Sequence, residues 1–472
     1  MQYTTGIVGA QVLISARVRG DAGRGARGGD RTPQEFFVSP LTLMPPRRFR
    51  WNYTVMGLDI SFFVLALSFA STYGILPLFV SHLADSNLAL GAIPALRAAA
   101  LLPPIFVAGL IERLPRKKPF VVWVTLVERL PYLALAIATP LLATTHPATL
   151  LWLLYALIAM TIFAAGVATP AWIDLLARML PNDWRGRFFG LSSALGGLLG
   201  VAGSAGAAIL LGRYDWVTGV ALCFAAAFAC LTISFGFILL GREPSAGASV
   251  ASPQSANPWR RLPGVLRGDR NLRHYLTALV LITAAGTTAA FYIVDAKRAL
   301  GLSDGAAGLY ATALLASSTA GSLLWGYVGD HAGHKRVIFG GALCTGLAPL
   351  AALAAREPRW GALVYGLAFV LAGLATSGLQ LAALTFIMDL APADQRPTYI
   401  GLANVVQAPA AFAAPLLGAA LADARGYPPL FVLTALLGLV GAALIARFVR
   451  DPRVLRPLAH ETEHPTAASQ SH

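Results

Sequence analysis

The chain has 472 residues, of which 56% are hydrophobic and only 12% are charged, and its mean hydropathy is +0.65. Because about a quarter of the residues in soluble globular proteins are charged, this composition excludes an ordinary soluble protein and indicates a polytopic membrane protein. The formal net charge of +14 fits either a nucleic-acid partner or a membrane surface. The three cysteines lie inside apolar runs, with neither a disulfide framework nor a zinc-ligand spacing.

Residues 1–50 are predicted to form a disordered basic leader. The stretch RVRGDAGRGARGGDR at 17–31 is rich in glycine and arginine and cannot bury a core. An RNA-binding tail and a misassigned start codon are alternative interpretations. The basic segment PPRRFRW follows Met44, which predicts that native translation starts at or near Met44. The apolar patch at 7–14 is short and no small-residue cleavage site follows it, so it does not fit a cleaved signal peptide.

Hydropathy predicts an all-α integral membrane protein with twelve membrane-spanning helices, which we number spans 1 to 12. Their predicted ranges are 54–80, 88–111, 119–142, 148–173, 188–211, 216–240, 274–296, 305–329, 337–355, 361–388, 398–421 and 428–449. We expect an N-terminal six-helix half at 51–240, a linker at 241–273, a C-terminal six-helix half at 274–450 and a tail at 451–472. The linker is rich in serine and proline and then in arginine.

The positive charges predict the orientation of the spans. With the N-terminus inside the cell, the inner inter-helix loops carry 16 Lys and Arg residues and the outer loops carry 6. Cytoplasmic loops of membrane proteins are enriched in these residues. We therefore expect the protein in the cell inner membrane with the linker and both termini in the cytoplasm. The basic surplus then faces the anionic leaflet, and no nucleic-acid partner is needed to explain it.

The loop between spans 8 and 9, at 326–336, reads GYVGDHAGHKR. It resembles the loop signature of the major facilitator superfamily, G-x-x-x-D-[RK]-x-G-x-[RK]-[RK]. The matching residues are Gly326, Asp330, Gly333, Lys335 and Arg336. His331 stands where that family usually has Arg or Lys. The alternative interpretation is an ordinary positively charged turn.

Two internal repeats support the resemblance. The segment AGLIERLPRKK at 108–118 is a degraded first copy of the loop, in which Glu112 replaces the acid and Arg113 is kept. The segment MLPNDWRGRFFGL at 179–191 aligns with LAPADQRPTYIGL at 390–402. Two repeats at nearly one spacing indicate a duplicated chain, as expected for two pseudo-symmetric six-helix halves.

The resemblance implies a secondary active transporter that moves a small-molecule substrate by alternating access, without a cofactor and without enzymatic activity. Proton-coupled efflux by a monomer is the expected form. Proton-coupled import of a sugar or metabolite is one alternative, and a non-transporting receptor or scaffold on the same fold is another. The resemblance also implies that Asp330 contacts the start of span 5, after Arg185, in the outward-facing state. Glu112 would contact the start of span 11 at Pro397.

Four charged residues lie in the interior of predicted spans, away from the span ends, where a charge costs roughly 2.5–3.5 kcal/mol on insertion scales. Arg97 in span 2 and Glu128 in span 3 differ in depth by only about 7 Å. They could form an ion pair that switches partners, or Glu128 could carry a proton; a static structural pair is the alternative. Arg129 is the neighbouring charge in span 3. The resemblance implies that Asp59 in span 1 is a site for protons or cationic substrates; a carboxylate that interfacial water reaches is the alternative.

Aromatic and amide side chains in spans 4, 7, 10 and 11 are candidates for the substrate cavity. They are Trp172, Phe291, Tyr292, Gln380, Asn404 and Gln407. Hydrogen bonds that join helices are the alternative role for the amides. Asp330, His331 and His334 could be read as a metal cluster, but the loop signature already explains them, and we expect no metal site.

Overall fold

The computed structural model describes residues 47–99, 107, 111, 114–244, 264, 266, 268–356, 360–392 and 396–451. The predicted disorder of the leader lies outside these residues, apart from 47–50, which are helical. The tail beyond residue 451 and most of the linker also lie outside them. Glu112 and Arg113 of the degraded loop copy are outside the described residues as well.

Helices and short turns make up the described part of the chain, in which no strand is present. The helices run Arg47–Phe69, Ile75–Leu83, Asn87–Ala99, Lys118–Leu142, Pro147–Met179, Asn182–Arg213, Trp216–Leu240, Arg270–Gly286, Ala289–Leu300, Asp304–Ala332, His334–Ala354, Gly361–Leu390, Arg396–Arg425 and Tyr427–Phe448. Within the described residues, eleven candidate spans are long and apolar enough to cross a membrane. The twelfth is span 2, which is described in part. The predicted all-helical membrane fold is confirmed.

Spans 1 and 7 are each broken, whereas the hydropathy pattern predicted continuous helices. Span 1 breaks between Phe69 and Ile75, where the amides of Gly74 and Leu76 both donate to the Ser71 carbonyl. Span 7 breaks at Thr287–Thr288, whose hydroxyls donate to backbone carbonyls of the preceding turn. Hydroxyl side chains compete with the helix for backbone partners, and this explains the break in span 7. Irregular backbone inside a membrane protein is tolerated where other helices or a cavity surround it.

The two halves repeat one contact between their first and sixth spans. The Asn52 side chain donates to the Arg242 carbonyl at 2.9 Å and accepts from the Arg242 amide at 2.9 Å. The Asn271 side chain makes the same pair of bonds to Arg450, at 3.0 and 2.8 Å. The equivalent clasp in each half is a structural trace of the duplication that the sequence repeats predicted. We call the membrane face that carries these clasps and the 326–336 loop the basic side.

The halves meet along two pairs of spans, span 5 with span 8 and span 2 with span 11. Small residues allow close approach in both pairs. A Cβ atom added at Gly305 would lie 2.6 Å from the Gly212 Cα atom, and one at Gly91 would lie 2.5 Å from the Pro415 carbonyl oxygen. Between spans 5 and 8, Thr312 Oγ1 also donates to Ser204 Oγ at 3.1 Å.

Candidate functional site

On the side opposite the basic side, Asp423 of span 11 joins the two halves. Its carboxylate accepts from the Asn87 amide at 2.8 Å, from Asn87 Nδ2 at 2.9 Å and from the Leu88 amide at 3.1 Å. These amides begin span 2, where helix N–H groups lack partners within the helix. Tyr427 also donates to Asn87. An acid of the C-terminal half therefore caps a helix of the N-terminal half.

A second contact on the same side joins span 1 to spans 7 and 8. His82 Nε2 lies 2.8 Å from Asp304 Oδ2, and Lys297 Nζ lies 2.5 Å from Asp304 Oδ1. The His82 ring stacks on Trp216 at 4.7 Å between centroids. Two groups of polar contacts thus join the two halves on the side opposite the basic side.

The contact between spans 5 and 8 ends before it reaches the basic side. Among the close contacts that glycines make between these two spans, the one nearest the basic side joins Gly197 to the Thr319 side chain. Asp330 is exposed, and in the described part of the chain it has no hydrogen bond or ion pair. Among the described residues, Arg185 bonds only to carbonyls of its own half, of which one is Leu180 O at 3.2 Å. The expected contact of Asp330 with the start of span 5 is not present in this conformation.

The structure explains the residues at two positions of the 326–336 loop, Gly333 and Lys335. Gly333 has φ +90°, a region that favours glycine, and an added Cβ atom would lie 2.9 Å from an Asp451 carboxylate oxygen. Lys335 Nζ donates to the Ala446 carbonyl at 3.0 Å, which ties the loop to span 12. Gly326 has open space around it, and Arg336 is exposed.

The three residues considered as a metal cluster do not converge. His331 Nδ1 lies 2.9 Å from the Tyr327 carbonyl, and His334 Nδ1 lies 3.1 Å from Asp389. Within the described residues, no group of His, Cys, Asp and Glu could hold a metal ion.

The N-terminal half buries a charged cluster among spans 1, 3, 4 and 6. Asp59 is 3% exposed, and its carboxylate accepts from Ser234 Oγ at 2.6 Å and from Trp172 Nε1 at 3.3 Å. Ser234 Oγ in turn accepts from Arg129 Nη2 at 3.2 Å. Arg129 Nη1 lies 3.9 Å from the carboxylate of Glu128, which is 5% exposed. We call Asp59, Glu128, Arg129, Ser234 and Trp172 the buried charge cluster.

The buried charge cluster contains two carboxylates and one guanidinium. The guanidinium is held in place by a bond from Arg129 Nε to the Leu231 carbonyl at 3.0 Å and by the Phe235 ring, 5.2 Å from Arg129 Cζ. An isolated charge is costly in a low-dielectric interior. The cluster is electrically neutral when one of the two acids carries a proton.

Arg97 is not paired with Glu128, contrary to the depth argument. Its Nη1 donates to Thr72 Oγ1 at 2.8 Å, and its guanidinium carbon lies 5.9 Å from the centre of the Tyr73 ring. Depth along a helix does not fix the direction in which a side chain points. Arg97 reaches the break in span 1, while Glu128 lies beside Arg129.

The cavity candidates occupy different environments. Phe291 and Tyr292 are 0% and 2% exposed, and Tyr292 packs on Phe369 and Phe431. They belong to an apolar core to which both halves contribute residues in this conformation. Three amides are more accessible: Gln407 accepts from Thr283 at 3.2 Å, Asn404 is exposed and Gln380 is half-buried.

Sequence reasoning missed Ser234 and the residues that close the opposite side. Ser234 is one of several hydroxyl residues in apolar spans, and no spacing distinguishes it. Asn87 and Asp423 are separated by 336 positions. The sequence feature that could have indicated this contact is the carboxylate of Asp423 near the end of span 11. An exposed position in a loop explains that carboxylate equally well.

A model of the Major Facilitator Superfamily matches residues 58–296 and 275–470. The match covers most of the chain and falls on both six-helix halves. The chain belongs to this superfamily.

The uncharacterized proteins Rv2209 of Mycobacterium tuberculosis and Mb2232 of Mycobacterium bovis are similar to this chain. Each is 25% identical over 300 residues, which make up 61% of this chain and 56% of the relative. The match thus spans just over half the length of these curated relatives.

Solved structures of transporters share the fold. A variant of the nucleoside transporter NupG has a TM-score of 0.64 at 12% identity, over 85% of this chain and all of that one. An inward-facing, unoccupied bacterial homologue of the lysosomal transporter Spinster has 0.60 at 14%, over 90% and 100%. An inward-facing bacterial homologue of the iron transporter ferroportin has 0.63 at 11%, over 84% and 98%. These identities establish similarity of fold alone.

Proposed function

We propose that this protein is a proton-coupled secondary transporter that exports a small solute by alternating access. The observation that carries proton coupling is the buried charge cluster, in which two carboxylates, Asp59 and Glu128, share one guanidinium. Intramembrane acids that face the interior of a helix bundle commonly serve as proton relays. One proton makes the cluster neutral, and its release leaves a net negative charge beside span 1.

Alternating access is supported by the uneven contact between the halves. Asp423 and Asp304 close the side opposite the basic side, while Asp330 on the basic side is exposed. Positive loops are typically cytoplasmic, so we assign the basic side to the cytoplasm of the inner membrane. Both termini then lie in the cytoplasm, and this conformation faces inward. We take the transporting unit to be the monomer, because each chain carries both halves.

Export is the proposed direction, and it is supported by the glycine-rich span 5. Gly197, Gly200 and Gly212 lie close to residues of span 8, so the two halves approach closely along this helix. The import of a sugar or metabolite uses the same fold and differs in which side binds the solute first. A receptor on this fold would bind a solute and move none.

The experiment is flux through purified protein in liposomes with an imposed pH gradient, screened over a panel of solutes. We expect solute accumulation that follows the sign of the gradient and stops when an ionophore collapses it. Accumulation that ignores the gradient would contradict proton coupling. Binding of a solute without flux would favour the receptor. Vesicles of known orientation separate export from import.

A further inference from the structure

Arg97 lies at the break in span 1 rather than among the buried acids. It donates to Thr72 at 2.8 Å and lies over the Tyr73 ring. All three side chains remain partly accessible. The Tyr73 hydroxyl makes no hydrogen bond with the described residues. Two free donor groups, the remaining guanidinium N–H atoms and the phenol, therefore lie close together.

No carboxylate neutralises Arg97 within the part of the chain that the structure describes. Asp59 is engaged by Ser234 and Trp172, and Glu128 is engaged by Arg129. The side chain of arginine stays protonated in proteins, so Arg97 cannot act as the proton carrier. It remains a fixed positive charge whose neighbours are neutral.

Arg97 lies near the middle of the bilayer and close to the interface between the two halves. It follows the start of its helix at Asn87 by ten residues, which is about 15 Å, half the thickness of a bilayer core. That distance is too long for the side chain to reach the headgroups. The adjoining break faces the C-terminal half, because a Cβ atom at Gly74 would lie 2.6 Å from the Ala311 side chain of span 8. Broken helices at the bilayer midplane form substrate sites in other transporter folds.

We propose that Arg97, Thr72 and Tyr73 form an anion-binding subsite, and that the transported solute carries a carboxylate or phosphate group. The guanidinium binds the anion, Thr72 orients the guanidinium, and the Tyr73 hydroxyl donates a further hydrogen bond. Arginine is suited to both groups because its planar fork of donors matches their oxygens. This substrate class rests on the proposed transport function and specifies its central site.

The test measures the thermal stability of the purified full-length protein in detergent with a panel of small solutes. One arm of the panel contains mono- and dicarboxylates, and a second contains phosphate monoesters. The control arms contain neutral amides and alcohols of similar size, and amines. We expect stabilisation by members of one anionic arm, which also identifies the anionic group. Arg97→Gln should weaken that binding about 10- to 100-fold, as expected for loss of a charged hydrogen bond. Arg97→Lys should retain part of it.

Arg425→Gln is the matched control, because Arg425 is exposed at the C-terminal end of the span 11 helix. This variant should leave binding unchanged. Thr72→Val should weaken anion binding about 2- to 10-fold, whereas Thr72→Ser should not. This pair keeps the charge and remains informative if Arg97→Gln does not fold. The proposal is overturned if no anion stabilises the protein, if only neutral or cationic solutes do, or if both Arg97→Gln and Thr72→Val bind as the unmodified protein does.

Flux measurements distinguish a failure of the anion-subsite proposal from a failure of the proposed transport function. A pH gradient that drives a neutral or cationic solute, with no effect of Arg97→Gln, would refute the anion subsite and leave the transporter intact. Anions that bind through Arg97 but are never moved would refute the transport function and leave the subsite intact.

Discussion

The carboxylate of Asp423 accepts hydrogen bonds from both the amide and the side chain of Asn87, at 2.8 and 2.9 Å. The two residues belong to opposite halves, so the bonds must break before the halves separate on this side. A carboxylate at a helix N-terminus gains roughly 0.3–1 kcal/mol when exposed. That energy is small compared with folding but comparable to the difference between two transporter conformations.

Asp423→Asn should raise the fraction of outward-open protein up to about fivefold, because about 1 kcal/mol of inward-facing stabilisation is lost. Ser204→Cys is a suitable reporter, since Ser204 is 4% exposed between spans 5 and 8. The three native cysteines are first replaced by alanine, and an impermeant maleimide is added from the outer side. Asp85→Asn is the control because Asp85 is exposed nearby. Equal labelling rates in Asp423→Asn and Asp85→Asn would show that the Asp423 cap does not hold this side closed.

Gly305→Ala should hinder closure of the outer side more strongly. The new methyl group would lie 2.6 Å from Gly212 Cα, a backbone atom that cannot move aside without shifting span 5. We expect faster labelling of Ser204→Cys and slower transport. Gly236→Ala is the matched control, because a Cβ atom there meets nothing within 4 Å. If Gly305→Ala and Gly236→Ala transport and label alike, close packing of spans 5 and 8 is not required for the inward-facing state.

Asp330→Asn should act in the opposite direction. We propose that Asp330 approaches the start of span 5 in the outward-facing state, where a helix N-terminus gives a partly buried acid up to about 2 kcal/mol. Its loss should enrich the inward-facing state several-fold, slow flux and reduce labelling of Ser204→Cys, without lowering the melting temperature. Glu112→Gln should do less, because its loop is the degraded copy. Unchanged flux and labelling in Asp330→Asn would mean that the loop is only a positively charged turn.

The sequence predicts the class of fold well because the signals are local. Long apolar runs, the Lys and Arg bias and the 326–336 loop each lie within a few tens of residues, and the clasps at Asn52 and Asn271 show the duplication in three dimensions. The breaks in spans 1 and 7 were missed because Ser, Thr and Gly within an apolar run barely change its mean hydropathy.

The partners of the intramembrane charges could not be predicted in the same way. Helical rise gives the depth of Arg97 and Glu128, but their direction depends on how the helices are rotated in the bundle. The structure directs Arg97 to Thr72 and sets Asp59 beside Ser234, 175 positions away. Such pairs depend on tertiary packing, for which one sequence offers no periodic pattern.

The central claim is that Asp59 and Glu128 couple transport to protons, and flux against exchange tests it most directly. In liposomes, Asp59→Asn and Glu128→Gln are compared with the unmodified protein for accumulation driven by a pH gradient and for exchange of solute at equal pH. Asp85→Asn is the control, because Asp85 is an exposed carboxylate in the loop before span 2. We expect at least one of the two variants to lose gradient-driven accumulation while keeping exchange, because a neutral side chain cannot release a proton. Full gradient-driven accumulation in both variants would contradict the claim.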